Sequence, residues 1–127
     1  MEDHAQTTKK DFELFKKECA FWIDKLNLRS WRWEVGYDDI GNQYGEAEIF
    51  YGARAISVTL SDFLPKDRRA ELIAETAFHE VFEAGVMGRV RIMAEQRDYS
   101  AIELESEIHA ITNRCQSLLL PLRKKKT

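Results

Sequence analysis

Within the chain, His79, Glu80 and Glu83 have types and spacing that could do chemistry. On a helix, residues four apart project from one face about a turn apart, so an imidazole at His79 and a carboxylate at Glu83 can hold one divalent ion. Glu80, next to the first ligand, points toward the position such an ion leaves open. There it can take a proton from water that the ion has acidified. A third protein ligand has to come from elsewhere. The last helical segment offers Glu103, Glu105, Glu107 and His109. Its apolar stripe is centred near Ile108 and Cys115, and Glu105 and His109 follow one flank of it. Glu105 is the first choice for third ligand and His109 the second, with Glu107 left open.

Helices and strands must position these groups. Phe12, Phe15, Cys19, Trp22 and Leu26 recur at steps of three and four, which predicts an amphipathic first helix. Trp31, Trp33, Val35 and Tyr37 alternate with polar residues or glycine, the signature of a half-buried strand. Two further strands are expected at about 46–51 and 55–60, joined tightly at Gly52. In the second, Ile56, Val58 and Leu60 share one face while Ser57 and Thr59 share the other. Pro65 is placed to open the metal-site helix, and Gly85 and Gly88 to end it. Residues 89–99 fit a loop or a short helix. Ser100 with Glu103 reads as a capping box for a last helix that Pro121 stops. The fold expected is α+β: an N-terminal helix, a short three-stranded, mainly antiparallel sheet, then two helices. Residues 1–10 are expected to be loose, 11–122 to form one domain and 123–127 to be a basic tail.

The arrangement of strands followed by a helix bearing His79-Glu80-Val81-Phe82-Glu83 resembles minimal zincin-like metallopeptidase domains of small phage and bacterial proteins. The resemblance spans roughly 31–120, but only 77–83 is motif-like. It implies His79 as a zinc ligand and Glu80 as general base. Glu83 stands where the family usually has a second histidine, and its added negative charge weakens Lewis acidity and admits other divalent ions. The resemblance further implies a peptide or protein substrate paired with an edge strand at 55–60, with Ser57 and Thr59 beside it. The alternative is a degenerate, non-catalytic binding or assembly module with the same fold.

Composition narrows the classes. The 127 residues are 44 % hydrophobic and 32 % charged, with a net charge of −3, ordinary for one globular domain and poor for broad nucleic-acid binding. No apolar run approaches the roughly 20 residues of a membrane span. The polar start Met1-Glu2-Asp3-His4 lacks an apolar signal region, so a cytoplasmic setting is expected, the host's if the chain is phage-encoded. Cys19 and Cys115 fall on apolar stripes and are expected as buried thiols. The run Arg123-Lys124-Lys125-Lys126 reads as a solvated end.

Overall fold

A computed structural model describes residues 3–97 and 100–125, without the side chains of residues 124 and 125. The order is β1 (His4–Gln6), α1 (Lys9–Lys25), β2 (Arg32–Asp38), β3 (Gly45–Phe50), β4 (Ala55–Ser61), β5 (Phe63–Pro65), α2 (Arg69–Gly85), α3 (Gly88–Glu95) and α4 (Ala101–Lys125). This is an α+β fold. Among the described residues, no helix is long and apolar enough to cross a membrane.

The three-stranded sheet has the order β2-β4-β3. β3 pairs antiparallel with β4, but β2 pairs parallel, Trp33 opposite Ile56 and Val35 opposite Val58, so the sheet is mixed rather than mainly antiparallel. The expectation of an edge strand at 55–60 is corrected with it. β4 is the central strand, bonded on both sides, and the free edges among the described residues belong to β2 and β3. The alternation within β4 is as expected: Ile56, Val58 and Leu60 are fully buried, while Ser57 and Thr59 are partly exposed on the opposite face.

The core lies between this sheet and the helices. Phe15, Cys19 and Trp22 of α1 meet Ile73, Ala77, Phe78, Val81 and Phe82 of α2, and Ile108 of α4 closes the cluster. Trp22 meets Phe78 edge-on at 4.8 Å, and Phe78 stacks on Phe82 at 5.4 Å. Such aromatic contacts add to the area they bury. Trp31 and Trp33 pack against this core, and the Trp33 indole donates to the Leu28 carbonyl at 2.9 Å. Cys19 is fully buried, and burial raises its thiol pKa far above the ordinary range. Cys115 is only partly buried.

Four further expectations need correction. Residues 4–10 are not loose. β1 pairs with β5, and Thr8 caps α1 in a reciprocal box with Asp11. Arg69 explains why so short a strand pair holds: its guanidinium donates to the carbonyls of Ala5 and Leu64 at 2.6 Å and meets Asp11 at 3.0 Å. Second, Pro65 ends β5 instead of opening α2, which starts at Arg69. Third, α4 runs past Pro121, whose ring costs one backbone bond but holds a helical φ. Arg123 anchors that last turn, 3.1 Å from Glu18 and over the Phe21 ring at 4.2 Å. Fourth, Arg123 is therefore not part of a solvated tail, and the side chains of Lys124, Lys125 and Lys126 lie outside the described residues.

Candidate metal centre

Along α2 the side chains alternate between two duties. Ala77, Phe78, Val81 and Phe82 enter the core, while His79, Glu80 and Glu83 stay partly exposed on the other side. Helical spacing brings His79 Nε2 to 2.8 Å from Glu83 Oε2. α4 packs against α2 through Ile108 and Thr112, and this brings His109, next to Ile108, over the same spot. Its Nδ1 lies 3.3 Å from Glu83 Oε2, and the two imidazoles stack at 5.6 Å. One ligand atom each from His79, Glu83 and His109 lies within 4.8 Å of the others.

This donor set fits a divalent ion. Two imidazoles and one carboxylate are a known three-ligand zinc set, and ligand atoms at about 2.0–2.1 Å from a tetrahedral ion stand about 3.3 Å apart. Glu83 Oε2 is buried and receives no hydrogen bond of good geometry, although His79 Nε2 is close. The His79 contact, short but poorly aligned, leaves a buried oxygen facing two imidazoles.

The other sequence-derived candidates fall elsewhere. Glu105, the first choice for third ligand, is bound by Arg91 at 2.8 and 3.1 Å and lies outside the cluster. Glu107 and Glu103 are exposed on α4. Ser57 and Thr59 sit on the central strand, paired in register with residues of both neighbours, so no substrate backbone can pair there.

A cleft of about 260 Å³ opens beside the cluster, lined by Tyr44, Gly45, Thr76, His79, Glu80 and Asn113 among others. Gly45, the first residue of β3, has to be a glycine for this approach. A Cβ there would come within 2.5 Å of Thr76 and 3.2 Å of Glu80 Cγ. Neither β3 nor Asn113 emerged from the sequence as part of the site. Asn113 follows His109 by four residues, a spacing that would have revealed it once His109 was placed.

Burial raises the Glu80 carboxyl to about 7; nearby His79 opposes the shift, while Glu83 and Glu46 add to it. The contact with Glu83 raises His79 above its ordinary 6.5, against the effect of burial. Burial pushes Glu83 up, but the direct contact with His79, and then the charges of His79, His109 and Arg91, outweigh it and hold the carboxyl below its usual value. In chelator-treated protein these shifts have a sign. The folded chain holds the Glu80 proton more tightly than the unfolded one. Its stabilising contribution is therefore complete below 4.5 and is lost as pH rises through about 7. His79 acts in the same direction from 6.5 upward, whereas the Glu83 contribution is lost only as pH falls below 4.5. Urea midpoints are expected to fall between about pH 5 and about pH 8, and less steeply in Glu80→Gln. An unchanged slope in that variant would remove Glu80 as the cause.

Comparisons with protein-family models, with curated proteins and with solved structures give no match.

Proposed function

We propose that this chain is a zinc-dependent hydrolase of zincin-like type, with His79, Glu83 and His109 as the metal ligands and peptides as substrates. The carrying observation is the convergence of two imidazoles and a buried carboxylate oxygen within 4.8 Å, beside an open cleft. A divalent ion held there supplies Lewis acidity, which acidifies water and polarises a carbonyl. Glu80 lines the cleft next to His79, the position from which a carboxylate can accept the proton of attacking water and pass it to a leaving amine. The free sheet edge nearest the cleft is β3, since Gly45 lies in the cleft wall. An extended peptide is read as lying along β3, by the backbone pairing that recognises strands at sheet edges.

One observation favours the second reading, a non-catalytic module with the same fold. The negative Glu83 carboxylate is already surrounded by His79, His109 and Arg91, so these groups offset one another's charge without an ion. Zinc titration into chelator-treated protein separates the two. Stoichiometric binding is expected for the wild type, with affinity at least about tenfold weaker in His109→Ala. No zinc binding by the wild type would leave the module as the better account.

A further inference from the structure

Arg91 on α3 stands between two carboxylates. Its Nη2 lies 3.5 Å from Glu83 Oε1 and 3.1 Å from Glu105 Oε2, while its Nε lies 2.8 Å from Glu105 Oε1. Glu105 is thus gripped by two N–H donors, the fork geometry that makes guanidinium–carboxylate pairs strong and directional. Four residues before His109, Glu105 shares that residue's side of α4, one turn away. A single guanidinium nitrogen therefore separates the carboxylate of a metal ligand from a second carboxylate poised beside the same site.

We propose that Arg91 holds Glu105 out of the coordination sphere of a divalent ion at His79, Glu83 and His109, and so keeps that site three-liganded and open. This inference rests on the metal-site reading above. Ligand count decides what a zinc site can do: three protein ligands leave a position for water or substrate, while four close the site and make it structural. The same guanidinium touches Glu83 Oε1 and leaves Oε2, the oxygen close to both imidazoles, as the one to coordinate. A fixed positive charge this close also opposes binding of a dication. Arg91 thus trades metal affinity for an open position. It is a positioning residue, acting through Glu105 and Glu83.

Cobalt(II) titrated into chelator-treated protein tests this, read by visible absorption before and after adding azide. The wild-type spectrum is expected to change with azide, which enters the open position. Arg91→Gln is expected to bind cobalt about tenfold or more tightly and to lose the azide response, because Glu105 takes that position. The double variant Arg91→Gln/Glu105→Gln is expected to recover the response, and Glu105→Gln alone to keep it. A purely structural role for Arg91 would not be undone by removing Glu105. If Arg91→Gln fails to fold by circular dichroism, Arg91→Lys keeps the charge without the fork and is expected to lose the azide response too. A wild-type response in a folded Arg91 variant, or a double variant as unresponsive as Arg91→Gln, overturns the proposal. A wild type that takes up no cobalt overturns the metal reading itself, an outcome distinct from either.

Discussion

Glu80→Gln is expected to lower peptide turnover by about a hundredfold to ten-thousandfold while leaving zinc affinity unchanged. The substitution keeps the shape of the side chain and removes only its capacity to carry a proton. Glu80 lines the cleft and takes no part in the His79, Glu83 and His109 cluster, so metal binding and proton transfer fall on different residues. Its position is fixed from below by the close approach of β3 at Gly45 and by its place on α2. The check is turnover of the best substrate from a peptide library by zinc-loaded wild type and variant, with zinc titrated into both. A variant with full turnover would sink the general-base role. A variant that loses zinc along with turnover would mean that Glu80 belongs to the metal site.

Phe78→Ala is expected to cost about 3–5 kcal/mol of unfolding free energy. The ring is completely buried and has aromatic neighbours on two sides, Trp22 at 4.8 Å and Phe82 at 5.4 Å. Truncation opens a cavity where α1, α2 and the sheet meet, and a rigid aromatic wall cannot collapse to fill it. Because small domains are stable by only about 5–15 kcal/mol, the variant should stay largely folded while its denaturation midpoint drops sharply. Urea unfolding measures this directly, and a loss below about 1 kcal/mol would show that the core relaxes around the gap. Phe78 precedes His79, so zinc affinity in the same variant reports how far a disturbed core reaches the site.

The long helices α1, α2 and α4 are legible because each carries its pattern within itself. Phe15, Cys19 and Trp22, or Ile73, Ala77 and Phe78, recur at a period no other structure gives, and the same arithmetic set His79 and Glu83 side by side. The failures all depended on partners distant in sequence. Nothing in residues 55–61 says that β2 will lie parallel on one side and β3 antiparallel on the other, so the residues of β4 alone fit an edge strand as well as a central one. The strand at His4–Gln6 exists because Arg69 binds its carbonyls from more than sixty residues away. The choice between Glu105 and His109 turned on a third party. Both lie on the same flank of α4, one turn apart, but Arg91 occupies Glu105, and the segment bearing Arg91 could not be assigned to helix or loop from its own residues.

Core and site residues interleave along a single stretch of α2, from Thr76 to Glu83. An α-helix turns about 100° per residue. One inserted or deleted residue in that stretch would swing everything beyond it out of phase, sending a carboxylate toward the aromatic core and a phenylalanine ring toward water. The tight spots of this chain are therefore matters of length as much as of residue type. Its descendants can grow or shrink between β2 and β3, where extra residues cost little loop entropy, but the eight positions from Thr76 to Glu83 have to keep their count.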